Sequence, residues 1–239
     1  MRRVLVTGGG SGIGRTIAQQ FAQMGDQVTI CGRRLEALEQ TAQGYQMDLR
    51  QADVSDEASV AALFDTPYDV VVGNAGIARN AKLTDLSLSD WNDTLTVTLT
   101  GVFLTFRAAL AGMGQGGRLI AIASTASLQG GATLAAYSAA KHGVLGLVRS
   151  TAKEVAKSGI TCNAVCPGFV DTDMAQGAAK GVAQKFGISE DKAMDMIVAA
   201  NPMRRLITPE EVAATTVFLA SEGAASINGH ALSVSGGEI

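Results

Sequence analysis

The chain has 239 residues, 47% of them hydrophobic and 17% charged, with a formal net charge of -3. That apolar share supports a sizeable core and excludes a disordered chain, while the acidic balance argues against nucleic acid as the main partner, since duplex phosphates call for a basic face. Cys31, Cys162 and Cys166 are odd in number, and with His142 and His230 they are too scattered for a metal site; they read as reduced thiols and bystander imidazoles of a cytoplasmic protein.

The start, Met1-Arg2-Arg3-Val4-Leu5-Val6, has too short an apolar run for a signal peptide. No uncharged apolar stretch is long enough to span a bilayer, so no membrane partner is expected. Val4-Leu5-Val6 predicts a first strand, followed at once by Thr7-Gly8-Gly9-Gly10-Ser11-Gly12-Ile13-Gly14 and a helix over 12–24. Val28-Thr29-Ile30-Cys31 predicts the next strand, with helices over 34–42 and 56–64. Then come a strand at Val70-Val71-Val72, a helix over 87–111, a strand at Leu119-Ile120-Ala121-Ile122, a helix over 133–157 and a strand at Cys162-Asn163-Ala164-Val165. Short apolar runs bounded by Gly, Asp or Asn suit strands buried on both faces. Their alternation with helices predicts a single α/β domain over 1–239, a doubly wound Rossmann-type sheet, mostly parallel, with helices on both faces. Chemistry in such a sheet gathers at the carboxyl ends of the strands.

Three groups of residues carry chemistry. The glycine-rich turn lets backbone N–H groups approach a pyrophosphate at a helix N-terminus. The second strand ends Cys31-Gly32-Arg33-Arg34: an acid there would bind a ribose 2′-hydroxyl, whereas a guanidinium pairs with a 2′-phosphate. Tyr137 and Lys141, four apart on a helix, share a face, and Ser124 ends a strand thirteen residues before Tyr137. A free phenol titrates near ~10, and a neighbouring ammonium is expected to bring Tyr137 below that.

Together these motifs resemble the short-chain dehydrogenase/reductase family. Thr7-Gly8 through Gly14, with three residues between the first two family glycines, is similar to its fingerprint, and Tyr137-Ser138-Ala139-Ala140-Lys141 to its Tyr-x-x-x-Lys signature. The resemblance implies Ser124, Tyr137 and Lys141 as catalytic residues. It implies cofactor contacts from Gly8, Ser11, Gly12, Ile13, Gly14, Arg33, Arg34, the Asp53-Val54 pair, Asn74-Ala75-Gly76, Tyr137, Lys141 and the segment Pro167, Gly168, Val170 and Thr172. The cofactor implied is NADP rather than NAD.

One position departs from the pattern: Thr98, in Val97-Thr98-Leu99-Thr100-Gly101, stands where the family carries an Asn that holds a relay water. Residues 173–201, with Met174, Phe186, Met194, Met196 and Ile197, correspond to a substrate lid. The resemblance is strongest to β-ketoacyl reductases and 3-hydroxyacyl-CoA dehydrogenases. It implies a carbonyl or alcohol substrate, an acyl thioester first of all, and a homotetramer. The other readings are a reductase of a non-thioester ketone, sugar or steroid, and a nucleotide-sensing protein with little turnover.

Overall fold

The computed structural model describes residues 1–239. Seven parallel strands form one sheet: β1 (Arg3–Thr7), β2 (Gln27–Gly32), β3 (Met47–Gln51), β4 (Val70–Gly73), β5 (Arg118–Ile122), β6 (Thr161–Pro167) and β7 (Ala231–Val234), in the order β3-β2-β1-β4-β5-β6-β7. The chain runs outward from β1 to β3, then returns to lay β4 on the other side of β1. The reversal opens a crevice at the carboxyl ends of β1 and β4, where such folds place ligands.

The strands fill two cores by alternating side chains. Leu5, Val71, Leu119, Ala121, Cys162 and Ala164 point to one face, against α5 (Gly101–Leu110) and α6 (Ala135–Val155) through Val102, Phe106, Val144 and Val148. Val4, Val6, Val70, Val72, Ile120 and Ile122 point to the other, against α1 (Gly12–Gln23) and α9 (Pro209–Leu219) through Ile17, Phe21, Val212 and Leu219. Both faces of the central strands are therefore dry, which is why those strands read as unbroken apolar runs.

The five predicted strands are all present. β3 and β7 are additional. Both lie at sheet edges, and Met47-Asp48-Leu49-Arg50-Gln51, partly exposed throughout, has no apolar run to betray it. The helix expected over 56–64 is the shorter α3 (Glu57–Ala61), capped by Asp56, whose side chain accepts from the Ala58 N–H. The stretch 87–111 is α4 (Leu88–Leu95) and α5 joined by a π-helical turn at Thr96–Thr100. Segment 173–201 folds as α7 (Asp173–Phe186) and α8 (Glu190–Val198) around a small core of Ala179, Ala183, Ala193 and Ile197. α2 (Leu35–Ala42) completes the set. α9 carries a sequence signal of its own: Thr208 and Glu211 form a capping box around Pro209 at the first turn. No helix is long and apolar enough to cross a membrane.

Candidate active site

The turn after β1 is built to keep backbone close to backbone. Gly8 and Gly12 have φ of +66° and +49°, a region that favours glycine. A Cβ on Gly14 would lie 2.4 Å from both the Gly8 oxygen and the Asn74 Nδ2. Asn74 is the brace: its Nδ2 donates to the carbonyls of Thr7 at 2.9 Å and Gly8 at 3.2 Å. The Thr7 hydroxyl in turn accepts from the N–H groups of Asn74 and Ala75. These bonds tie β1 to β4 at the crevice. No side chain caps α1 at Ser11, and no acid sits in its first turn, so its N-terminal donors and dipole are available to an anion.

The crevice is a cleft of about 360 Å³. Along its wall the structure brings together Gly8, Ser11, Gly12, Ile13, Gly14, Arg33, Arg34, Asp53, Val54, Asn74, Ala75, Gly76, Tyr137, Lys141 and Thr172. Asp173 and Met174, from the segment expected as a lid, also line it, as do Ile77 and Val97, whose side chains carry no motif and which sequence reasoning did not assign to the site. Ser124, Pro167, Gly168 and Val170 are not on the wall. Pro167 ends β6, Gly168 packs against the C-terminal segment, and Val170 is buried in the core and bridges to Ile207. Arg33 and Arg34 are exposed, and neither has a carboxylate within 4 Å, unlike Arg2, Arg50, Arg79, Arg107 and Arg205. The Asp53 carboxyl, beside them, is held below its usual range chiefly by hydrogen bonds from Ser55, with Arg33 adding a smaller pull. A glycine cradle at one end and two uncommitted guanidiniums at the other fit a dinucleotide with an extra phosphate.

Ser124 follows β5 and caps a short turn at Thr125–Ser127. Its Oγ accepts from the Ala126 N–H at 3.1 Å, and its own N–H donates to Ser127 Oγ at 3.1 Å. Tyr137 and Lys141 lie one turn apart on α6, with Lys141 Nζ 5.6 Å from the Tyr137 ring centre. Lys141 is 4% exposed, and its Nζ donates to the Ile122 carbonyl at 2.6 Å. Burial lowers Lys141 to about 8. Burial also raises Tyr137, against a smaller opposing effect of the Ser124 hydroxyl. This corrects the expectation that the ammonium would bring the phenol down: desolvation sets the direction, and the opposing effect comes from the Ser124 hydroxyl rather than from Lys141. All three thiols are buried and pushed up, Cys31 and Cys162 to about 12 and Cys166 to about 11, so they are poor nucleophiles.

Residues 8–238 match the family model described as Enoyl-(Acyl carrier protein) reductase. The chain belongs to the short-chain dehydrogenase/reductase family. The crystal structure of actinorhodin polyketide ketoreductase with NADPH is 39% identical, with a TM-score of 0.94 over 99% of this chain and 97% of that one. D-β-hydroxybutyrate dehydrogenase of Cupriavidus necator is 36% identical over 99% of this chain and 97% of that protein. The 3-oxoacyl-[acyl-carrier-protein] reductase FabG of Aquifex aeolicus is 35% identical over 98% of this chain and 95% of that protein.

In this short-chain dehydrogenase/reductase Thr98 is wholly buried in the π-helical turn. Its hydroxyl donates to the Ile77 carbonyl and accepts from the Ile77 N–H, each at 3.1 Å. The single proton of the hydroxyl is thus committed to the backbone beside Gly76, and what Thr98 does here is pin the wall of the cleft. Ile77 lies 21 positions away, so no local pattern announces this contact. His142 Nδ1 pairs with the Ser138 carbonyl on its own helix, and neither it nor His230 lines the cleft.

Proposed function

We propose that this chain is an NADP(H)-dependent ketoreductase that reduces the 3-keto group of an acyl thioester, with Ser124, Tyr137 and Lys141 as its catalytic residues. The observation that carries the reading is the placement of Tyr137 and Lys141 in the same cleft as the glycine cradle and the unpaired Arg33 and Arg34.

When bound, the nicotinamide supplies the hydride. The chain does the rest. Arg33 and Arg34 hold the 2′-phosphate, and the glycine turn with the start of α1 holds the pyrophosphate. The Ser124 oxygen accepts from Ala126, and its hydroxyl, which faces the Tyr137 phenol in the free site, turns its proton to the substrate carbonyl oxygen, polarising it. Tyr137 donates its phenolic proton to the alkoxide oxygen that forms. A carbonyl of β5 takes one of the three Lys141 protons, leaving two for the ribose hydroxyls. Asp53, Val54, Asn74, Ala75, Gly76 and Thr172 shape the adenine and nicotinamide ends, and the backbone of Pro167, Gly168 and Val170 supports them.

The same reading makes α7 and α8 a substrate lid on a single domain. Met174, 54% exposed and on the cleft wall, supports it, since methionine adapts to variable apolar chains. It also places the protein in the cytoplasm as a homotetramer. On α6, Ala136 and Ala140 are buried within the chain, but Ala139 is exposed and a Cβ on Gly146 would meet nothing within 4 Å, which leaves room for a partner helix. A second reading, oxidation of a free 3-hydroxy acid, is favoured by the likeness to D-β-hydroxybutyrate dehydrogenase.

Turnover of an acetoacetyl thioester with NADPH and with NADH tests the proposal. NADPH is expected to be the faster donor. Tyr137→Phe keeps the ring but removes the proton donor, so kcat is expected to fall by about 10²–10⁴-fold with NADPH binding retained. Near-normal turnover by Tyr137→Phe overturns the mechanism, and NADPH binding without turnover by the wild type favours the sensing protein instead.

A further inference from the structure

Outside the cleft described above, one charged side chain is held at the active-site end of the sheet by its surroundings. Glu238 Oε1 accepts from Gln129 Nε2 at 3.0 Å. Gln129 belongs to the loop that Ser124 opens, its N–H bonded to the Thr125 carbonyl at 3.0 Å. The other carboxylate oxygen, Oε2, lies 2.9 Å from the point a Cβ on Gly168 would occupy. Gly168 directly follows β6, the neighbour of β5. Glu238 therefore spans the gap between the two segments that leave β5 and β6 at their carboxyl ends.

The C-terminal segment that carries it is fixed. The Gly168 N–H donates to the Val234 carbonyl at 3.1 Å, and the Glu238 N–H to the Ser235 carbonyl at 3.3 Å. Gly236 and Gly237, with φ of +62° and +91°, turn the chain against Asn201 and Pro202. No lysine, arginine or histidine lies within 4 Å of the carboxylate, since it forms none of the chain's ion pairs. A half-buried, uncompensated negative charge thus stands beside the loop of the residue that binds the substrate carbonyl.

We infer that Glu238 determines specificity: its charge disfavours 3-keto substrates with a free carboxylate and leaves the site to neutral 3-keto thioesters and esters. The inference rests on the ketoreductase reading. A 3-keto acid with its ketone on Ser124 carries its carboxylate two bonds from the reacting carbon. The inference requires the substrate carboxylate to come within about 7 Å of Glu238, where like charges at an effective dielectric of ~40 repel enough to change a rate by about 5- to 10-fold. A thioester at that position is neutral and feels none of this. Specificity of this kind comes from repelling the wrong substrate rather than gripping the right one.

The test compares kcat/KM for acetoacetate and for the neutral S-acetoacetyl-N-acetylcysteamine, at saturating NADPH, in wild type, Glu238→Gln and Glu238→Ala. Glu238→Gln keeps an oxygen to accept from Gln129 and removes only the charge. It is expected to raise kcat/KM for acetoacetate by about 5- to 10-fold and to leave the thioester nearly unchanged. Glu238→Ala is expected to move the ratio the same way, and added salt to shrink the gap between wild type and both variants. Equal changes for the two substrates, or none, mean that Glu238 is a structural clip for Gln129 and the inference is wrong. If the wild type reduces the thioester but both variants keep its substrate ratio, only the role of Glu238 fails. If it reduces neither, the ketoreductase reading fails first. A wild type that prefers acetoacetate overturns the inference at once.

Discussion

In the glycine cradle the side chains of Thr7 and Asn74 are tied to backbone atoms, whereas the α7–α8 pair that also reaches the cleft is held together mostly by its own alanines. Asn74 and Thr7 close the cradle with bonds to main-chain atoms of β1 and β4, above strands whose side chains are wholly buried. In α7 and α8 the inner seam is Ala179, Ala183, Ala193 and Ile197, and Phe186, Met174 and Met196 are more than half exposed. The cofactor side is preorganised by main chain, which tolerates little change. The α7–α8 side, the proposed substrate lid, is shaped by side chains on a helical pair with its own small core, which tolerates much. One fold can therefore keep its cofactor chemistry while its substrate changes.

Substitutions on the two sides are expected to separate accordingly, and the largest effect belongs to the cradle. Gly14→Ala would force a Cβ to within 2.4 Å of the Gly8 carbonyl and Asn74. A loss of about 3 kcal/mol in stability is expected, at the upper end for overpacking, together with lost NADPH binding, both read by chemical denaturation and fluorescence titration. A Gly14→Ala protein with wild-type stability would remove the basis of the contrast.

Arg33→Ala comes next. It is expected to weaken NADPH binding by about 1.5–3 kcal/mol, the range for a charge-assisted hydrogen bond, and to leave NADH binding nearly unchanged. Parallel titrations with the two nucleotides measure the difference, and equal losses for both would return Arg33 to the role of a solvated surface cation.

Lys141 tests how tightly the cleft floor is tied to the core. Its pKa, lowered from 10.5 to about 8, means that folding buries an ammonium at a cost. That cost is fully present below pH 8 and is relieved as the pH rises from 8 towards 10.5, because only the unfolded chain then holds the proton. Lys141→Met is therefore expected to gain about 1–3 kcal/mol at neutral pH while losing turnover, a gain that fades in alkali. In the wild type, kcat/KM for reduction is expected to fall as pH rises through about 8, since ribose binding uses the ammonium. A flat profile across that range would show that the charge of Lys141 is not needed.

The smallest effect is expected on the helical pair. Phe186 is 57% exposed, so Phe186→Ser is expected to change stability by no more than about 0.5 kcal/mol and to show itself only in KM for longer acyl chains. A large fall in the melting temperature would mean that this pair is as firmly built into the fold as the cradle is.

Much of the site was legible because it is local. The spacing of Gly8, Gly12 and Gly14, the four-residue step from Tyr137 to Lys141, and Arg33 at the end of β2 each express a short-range geometric need. The central strands were legible for a related reason: burial on both faces demands an apolar run. β3 and β7 were not, since a sheet edge makes no such demand on its residues. Thr98 stood out as a departure from the family pattern, but its use did not, because its partner Ile77 is distant in the chain.

From sequence alone came the α/β order of elements and the nicotinamide preference, and, through the family resemblance, the glycine turn and the tyrosine proposed to bind phosphate and transfer the proton. Only the tertiary structure decided which way the Tyr137 phenol and the Lys141 amine are shifted, since desolvation depends on what packs above them and not on their neighbours in the chain. It also decided that Glu238 meets Gln129, 109 positions earlier. That contact exists because parallel strands deliver all their carboxyl ends to one edge of the sheet, where residues remote in sequence come to share one site.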